Sequence, residues 1–344
     1  MAGNVLRASG LRRPRGFRMI IELTNKCNFR CSYCPHSTRG KEADDVNKFD
    51  RKQGFMSQET FDLAMTVANR DASSLSFSFF GEQMLHPRFS ELIASIPVDR
   101  GYRLVTNTNG SLLTDANIKA LKRFDLVRFS IDSIDSESFE RLRPGGAILT
   151  INGKRGGDRF EALSGQIERW LSLPDHPPTH LIYVTTQANR DDRQRYLDHW
   201  LPRMGPADAV VMKSVLSYGG IMKDPYMTTN PCTIPDDNRV NVAFNGDVTP
   251  CNLDVNIALC IGNIHETPDL RKMAASPRAR AVMRGIRRNQ GICRNCNDAN
   301  NHQESLLYRG ERDTDAPVRA TVLIQDEAIT YKQCSGRMDF RRAA

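Results

Sequence analysis

The sequence has 344 residues, a length that suits one barrel-sized domain with a smaller domain beside it. With 40% hydrophobic and 26% charged residues, no run of eighteen apolar residues and no signal-peptide core, the composition indicates a cytoplasmic protein without a membrane segment. The formal charge of +8 comes from scattered arginines, which indicate a solvated surface rather than one that binds nucleic acid.

Short apolar segments alternate with helical patterns after a basic N-terminal tail over residues 1–17. The segments rich in β-branched and aromatic residues predict six strands: FRMIIELT, SLSFSFF, YRLVTN, LVRFSI, THLIYVTT and DAVVMKSVL. Helical spacing predicts helices over SQETFDLAMTVANR, PRFSELIASI, TDANIKALKRF, DSESFERL and the stretches 167–173 and 192–201, with Ser57 and Thr114 as N-caps. This alternation predicts an α/β fold over residues 18–224, built as a parallel sheet or a partial barrel.

The pattern of alternating strands and helices is interrupted at two places. Between Arg143 and Gly157 five glycines predict a loop, and from about residue 225 helical spacing gives way to a hairpin with Asn245 and Gly246 at its turn. We therefore predict a second domain over residues 225–310. After about residue 311 we expect a disordered or loosely packed tail that runs to residue 344.

The nine cysteines fall in two groups that are separated by almost two hundred residues. An odd number in two groups indicates ligands in a reducing compartment rather than a disulfide framework. Cys27, Cys31 and Cys34 follow the first predicted strand, at the end where α/β barrels carry their chemistry. Three thiolates on one loop could bind zinc with His36 as a fourth ligand, but they are better suited to a 4Fe-4S cluster that leaves one iron open.

The CxxxCxxC spacing, with Tyr33 before the last cysteine and strand–helix units after it, resembles the radical S-adenosylmethionine (SAM) superfamily. The resemblance implies a partial (β/α)6 TIM-like barrel and a 4Fe-4S cluster on these three cysteines, whose open iron binds SAM. GEQMLHP resembles the family's segment after the second strand, although Gln83 stands where proline is common. By the same resemblance, the implied SAM-binding residues are Tyr33, Gly81, Glu82, Asn107, Asn109, Ser130, Asp132, Arg143, Gln187 and Asn189.

The second cysteine group resembles the shortened SPASM domain called twitch, which binds one auxiliary 4Fe-4S cluster. A full SPASM domain would continue with further cysteines soon after Cys296, and this sequence lacks them. Taken alone, Cys293 and Cys296 could equally form half a zinc site or a redox pair. The implied ligands of the auxiliary cluster are Cys232, Cys251, Cys293 and Cys296.

Two cysteines remain outside both ligand sets. Cys334 lies in the tail, where we expect no role for it, whereas Cys260 lies between the second and third implied auxiliary ligands. An apolar-flanked cysteine is often a core residue. We predict instead that Cys260 returns a hydrogen to a sugar carbon, as in the antibiotic-biosynthesis epimerases that the chain resembles. The alternatives are oxidation of an alcohol to a ketone, as in aminocyclitol dehydrogenases, and modification of a peptide.

One segment of the sequence concentrates positive charge. Between Arg271 and Arg288 there are seven basic residues and no acidic one. Such a segment is either a solvated helix face or a docking surface for an acidic flavodoxin or ferredoxin that supplies electrons. A non-enzymatic zinc module that binds nucleic acid is a further class, but six strand–helix units form a larger scaffold than such a module needs.

Overall fold

The structure is a computed structural model, which describes residues 16–39, 48–144, 158–223, 232, 234, 237–296, 305–309, 320–323 and 333–334. Most of the predicted glycine-rich loop, residues 145–157, lies outside this set, as does most of the predicted tail. No helix in the described ranges has the length and apolar character needed to cross a bilayer.

Strands and helices alternate along the first part of the chain, which confirms the predicted α/β class. The elements up to residue 214 are β1 (Phe17–Ile21), α1 (Gln58–Asp71), β2 (Ala72–Phe77), α2 (Phe89–Ala94), β3 (Arg103–Thr108), α3 (Asp115–Leu121), β4 (Leu126–Ser130), α4 (Ser136–Leu142), α5 (Arg159–Leu171), β5 (Thr179–Thr185), α6 (Arg193–Trp200) and β6 (Ala209–Ser214). The later elements are β7 (Arg239–Val242), β8 (Asp247–Thr249), β9 (Gly262–Asn263), α7 (Leu270–Ala274), α8 (Pro277–Arg287), β10 (Ser305–Arg309), β11 (Ala320–Leu323) and β12 (Gln333–Cys334).

Polar side chains start several of the helices. The Ser57 hydroxyl accepts a hydrogen bond from the Thr60 amide at 3.1 Å, and the Thr114 hydroxyl accepts one from the Asn117 amide at 3.2 Å, so both predicted N-caps are confirmed. Helix α5 begins earlier than its apolar spacing predicted, because Asp158 caps it by accepting from two backbone amides of its first turn.

All strands in the described ranges belong to one sheet, in the order β12-β11-β10-β6-β5-β4-β3-β2-β1-β7-β8-β9. Strands β1 to β6 are parallel neighbours, as βαβ units require. Two strands of the second domain that the sequence predicted over residues 225–310 join this sheet, because β7 pairs with β1 and β10 pairs with β6. The C-terminal strands therefore extend both edges of the barrel sheet. Strands β11 and β12 lie in the segment for which a loose tail was predicted.

The sheet has two faces with different environments. Alternate residues such as Met19, Leu75 and Phe129 pack against the helices in the main core. The opposite face carries a second, small apolar cluster of Ile182, Val184, Ala209 and Val211. This arrangement gives the sheet a helix-covered outer face and an inner face that lines a lumen.

Charges on the inner face show that the sheet curves. Five strands lie between β6 and β7, which would put these two strands about 29 Å apart in a flat sheet. Nevertheless, burial together with repulsion from Arg128 on β4 and Arg239 on β7 lowers the pKa of Lys213 on β6 to about 7. The inner face is therefore concave, in agreement with the partial barrel that was expected.

Candidate active site

Three thiols lie together on the loop that follows β1. Cys27, Cys31 and Cys34 are partly buried and form no disulfide. The loop turns at its end, where the Cys34 amide donates to the Cys31 carbonyl at 2.9 Å, and the Phe29 amide donates to the Cys27 sulfur at 3.4 Å. Burial raises the pKa of all three thiols, that of Cys34 to about 12, and the neighbouring thiols add to the shift in Cys27 and Cys34. Bound cations would offset this cost of forming thiolates.

Side chains from the loops after β2 and β3 hold the cysteine loop in place. Asn28 is the central group, since its amide nitrogen donates to the Ser111 hydroxyl at 3.0 Å and its amide oxygen accepts from Asn109 at 2.9 Å. The Glu82 amide donates to the Lys26 carbonyl at 2.8 Å. The three loops therefore form one hydrogen-bonded unit at the carboxyl ends of the strands.

Gly81 and Glu82 take up positions that few other residues could fill. Gly81 has a φ of +89°, and a Cβ there would lie 2.5 Å from the Thr24 carbonyl oxygen, so a side chain has no room. The buried Glu82 carboxylate accepts from the Asn109 amide at 2.7 Å and the Thr108 hydroxyl at 2.9 Å. Burial nevertheless raises the pKa of Glu82 above its ordinary value.

A buried ion pair lies beneath the cysteine loop. Arg143 donates to Asp132 at 3.0 Å and to the Ser130 carbonyl at 2.9 Å, and Tyr33 donates its hydroxyl hydrogen to Asp132. Burial acts to lower the pKa of Arg143, but the attraction of Asp132 and the hydrogen bond with it, together with the attraction of Tyr33 and Cys31, outweigh burial and raise this pKa. Burial also raises the pKa of Tyr33, which keeps the phenol protonated as a donor.

The loop after β5 reaches the same place through Asn189. Its side-chain amide donates to the Asp132 carbonyl at 3.0 Å and accepts from the Thr186 amide at 2.7 Å. Asn107 and Gln187, by contrast, have exposed side chains. The structure thus brings most of the implied SAM-binding residues into one hydrogen-bonded group around the cysteine loop, with Asn107 and Gln187 at its exposed side.

A second group of thiols forms from the C-terminal part of the chain. Cys251 is buried, Cys293 and Cys296 are partly buried, and Cys232 is exposed. Burial raises the pKa of Cys251 and raises that of Cys293 to about 11, and in both cases Cys296 and Cys232 contribute repulsion. The four side chains therefore lie close enough to interact, as the ligands of one cluster must.

Cys260 lies in the chain between the second and third thiols of this group. It precedes β9, in which Gly262 pairs with Val248 of β8, the strand that leads to Cys251. The Cys260 thiol is partly buried and donates to the Gly262 carbonyl at 3.4 Å. Cys334 lies in β12, and its side chain is outside the described residues.

Sequence reasoning missed the role of Gln83, which it noted only as a departure from proline. The buried Gln83 side chain accepts from the Leu23 amide at 2.6 Å and donates to the Thr24 carbonyl at 3.3 Å. These bonds attach the end of β1 to the loop after β2. A proline could not make them, so the departure from the family pattern has a structural role.

The ion pair between Glu22 and Arg51 was also missed. Both terminal nitrogens of Arg51 donate hydrogen bonds to the buried Glu22 carboxylate, at 2.7 and 2.6 Å. The Arg51 Nε donates to the Val255 carbonyl at 3.1 Å. The Phe244 amide also donates to Glu22, at 3.3 Å. A lone carboxylate in the apolar run RMIIEL was the available signal for a buried ionic partner.

The thiol arrangement fits iron–sulfur clusters better than zinc. Among the described residues, no three His, Cys, Asp or Glu side chains converge as the ligands of a single metal ion would. His36, the proposed fourth zinc ligand, packs edge-on against Phe49 with its Nε2 unpartnered among the described residues. Thiolates that bind separate irons of a cluster stand farther apart than ligands of one ion, so both thiol groups suit clusters.

Comparison with known proteins agrees with this geometry. Residues 21–163 match the model of the radical SAM superfamily, and residues 232–297 match the SPASM model, an iron-sulfur cluster-binding domain. The second match begins at Cys232 and ends one residue after Cys296, so it contains all four auxiliary thiols. These domains imply SAM and 4Fe-4S clusters as cofactors.

Individual relatives place the chain in the same family. It is 30% identical over 269 residues to the tungsten-containing aldehyde ferredoxin oxidoreductase cofactor-modifying protein of Pyrococcus furiosus, covering 68% of this chain and 70% of that protein. It is 33% identical over 123 residues to a UPF0026 protein of Helicobacter pylori, covering 34% of this chain but only 38% of the relative's length.

A solved structure shares the fold. The crystal structure of Streptococcus suis SuiB bound to the precursor peptide SuiA superposes with a TM-score of 0.59 at 12% identity, and the match covers 79% of this chain and 67% of SuiB. Two family models, a relative covered over most of its length and a shared fold thus agree with the two thiol groups. The chain belongs to the radical SAM superfamily and carries a SPASM iron–sulfur domain after its barrel.

Proposed function

We propose that the protein is a radical SAM epimerase that inverts one carbon of a carbohydrate, with Cys260 as the hydrogen donor. The position of Cys260 carries the proposal, because it comes two residues before Gly262 of β9, which pairs with the β8 strand that leads to Cys251, and its partly buried thiol forms no disulfide.

The reaction divides between the cofactors and the chain. When bound, SAM and the two clusters would supply the acceptor for the abstracted hydrogen atom and a one-electron carrier. The Cys260 thiol then gives its hydrogen atom to the opposite face of the substrate carbon: the S–H bond breaks, the new C–H bond forms, and a sulfur radical remains. One proton from solvent and one electron from a flavodoxin or ferredoxin restore the thiol.

The remaining site residues position the reactants. Glu82, Asp132 and Arg143 are buried and hydrogen-bonded in fixed orientations, which supports their assignment to the cofactor side of the site. Held in this way, the reacting groups need little reorganisation before reaction, and the closely packed loops keep water away from the radical.

The test uses anaerobically reconstituted enzyme with SAM, reductant and candidate carbohydrates in D2O. We expect the wild type to place one deuterium on the inverted carbon. Cys260→Ala should still release 5′-deoxyadenosine but lose the epimer. Cys334→Ala, which removes a cysteine outside both ligand sets, should behave as the wild type.

Two other products would reject epimerisation. A ketone without solvent deuterium, formed equally by Cys260→Ala, would indicate dehydrogenation of an alcohol. A modified peptide, with no change in any carbohydrate, would indicate a peptide-modifying enzyme.

A further inference from the structure

Two cations face the barrel lumen without a counter-charge. Arg128 lies on β4 and Lys213 on β6, and both side chains are partly buried. Within the described part of the chain, neither makes a hydrogen bond or an ion pair through its side chain. Arg239, which also faces the lumen, differs because its guanidinium lies 3.7 Å from Asp237.

The cations are close enough to repel one another. Burial and then Arg128 and Arg239 lower the pKa of Lys213 to about 7, and burial with Arg103 and Arg239 lowers that of Arg128 to about 10. Like charges held together away from water cost stability. Buried cations that carry such a cost without a paired carboxylate are candidates for binding an anion.

The surroundings of the two cations suit a polar ligand. In the strand register, Arg128 stands between Asn107 on β3 and His180 on β5. Below Lys213, the small apolar cluster of the inner face provides a nonpolar wall. A ligand here would meet two charges, polar side chains on one side and an apolar surface on the other.

The cations also adjoin the radical site. Lys213 is in register with Val184, whose carbonyl accepts a hydrogen bond from Asn189 at 2.9 Å. The same Asn189 amide donates to the Asp132 carbonyl. A substrate held by Lys213 would therefore lie one strand away from the residues assigned to the cofactor.

We propose that Arg128 and Lys213 bind a phosphate group of the substrate in the barrel lumen. Two cations match the two negative charges of a phosphate monoester, whereas a carboxylate would neutralise only one. The inference deepens the proposed function, on which its carbohydrate part rests, by making the substrate a phosphorylated sugar. Substrates rich in protonated amines, such as aminoglycosides, would be repelled by this lumen.

Binding to the full-length, anaerobically reconstituted protein tests the proposal without turnover. The probes are inorganic phosphate, glucose 6-phosphate, glucuronate and glucose, measured by isothermal titration calorimetry. We expect the two phosphate compounds to bind more tightly than glucuronate, and glucose to bind weakly or not at all. Lys213→Met and Arg128→Met should each weaken phosphate binding at least tenfold, and Lys213→Arg should restore most of it.

The control is Lys119→Met, which removes an exposed positive charge on α3 and should leave phosphate binding unchanged. Retained cluster absorbance in each variant shows that the barrel is intact. Phosphate binding that is equal in wild type, Lys213→Met and Arg128→Met overturns the inference. So does a loss of SAM binding without a loss of phosphate binding, because the cations would then serve the cofactor. Failure of deuterium incorporation rejects epimerisation and leaves this result standing.

Discussion

Several side chains of the barrel are both buried and charged. Whether such a side chain has a partner of opposite charge determines how its substitution changes the stability of the protein. Asp132 and Arg143 are almost completely buried and bonded to each other. Lys213 is partly buried beside other cations. Asp132 and Arg143 compensate each other's charge, whereas the charge of Lys213 has no such compensation. Substitutions at the two sites should therefore have opposite effects on stability.

Asp132→Asn should destabilise the protein. It leaves the Arg143 guanidinium buried without a counter-charge, which costs about 3–5 kcal/mol in comparable sites. Urea unfolding of the anaerobic protein measures the effect. The double variant Asp132→Asn with Arg143→Met should recover much of the loss, and a single variant as stable as the wild type would contradict the role of the ion pair.

Lys213→Met should stabilise the protein, most strongly below pH 7. Because the pKa of Lys213 falls to about 7 on folding from an ordinary value of 10.5, the unfolded chain binds a proton that the folded chain has released across this window. The free energy of unfolding of the wild type therefore rises with pH between these values. Below pH 7 we expect the variant to gain on the order of 2 kcal/mol, and the gain should shrink toward pH 10.

Thermal unfolding at pH 6 and pH 9 measures this difference, with Lys119→Met as the exposed control. Both measurements lie below the pKa of about 10 of Arg128, so the difference between them reports Lys213. A stability gain that is the same at both pH values would show that folding does not lower the pKa of Lys213.

At the scale of elements, α8 combines a buried side with a basic exposed side. Ala279 and Ile286 are buried, while Arg284, Arg287 and the C-cap residue Arg288 are exposed. The helix therefore packs on the domain through Ala279, Val282 and Ile286 and presents these arginines to solvent. Such a surface can attract an acidic reductase before contact is made.

Charge reversal of Arg284, Arg287 and Arg288 to Glu should slow 5′-deoxyadenosine formation with flavodoxin by about tenfold at low salt, because association rates depend on complementary charge. Turnover with dithionite, which needs no docking, should not change. The control variant reverses the exposed Arg88, Lys119 and Arg169 elsewhere on the surface. Equal slowing with both reductants, or in the control, would reject α8 as the docking element.

At the scale of the whole molecule, the two groups of thiols should each bind one iron–sulfur cluster independently. Anaerobically purified protein should absorb at ~400 nm and hold about eight irons, about four in each cluster. Cys31→Ala should lower the iron content to about four and abolish SAM cleavage. Cys251→Ala should lower it equally but leave SAM cleavage measurable. Iron analysis with product assay separates the two, and a zinc-loaded, colourless protein would contradict both assignments.

The sequence predicts this molecule well where signals are local. Strand and helix patterns, the caps at Ser57 and Thr114, and the spacing of the cysteines all depend on residues near each other in the chain. The contacts of Gln83 with Leu23 and of Arg51 with Glu22 and Val255 join distant segments, and no local pattern specifies them. The pairing of β10 with β6 was missed for the same reason. The sequence pattern of a strand does not specify the strand with which it pairs.

The position of β7 and β10 at the two edges of the barrel has a consequence for how this chain can be divided. A fragment that ends at residue 223 would expose the unsatisfied backbone groups of β1 and β6, both central strands in the intact sheet. Open, apolar edges of this kind recruit further strands from other copies. We therefore expect a fragment without the C-terminal portion to self-associate through these edges.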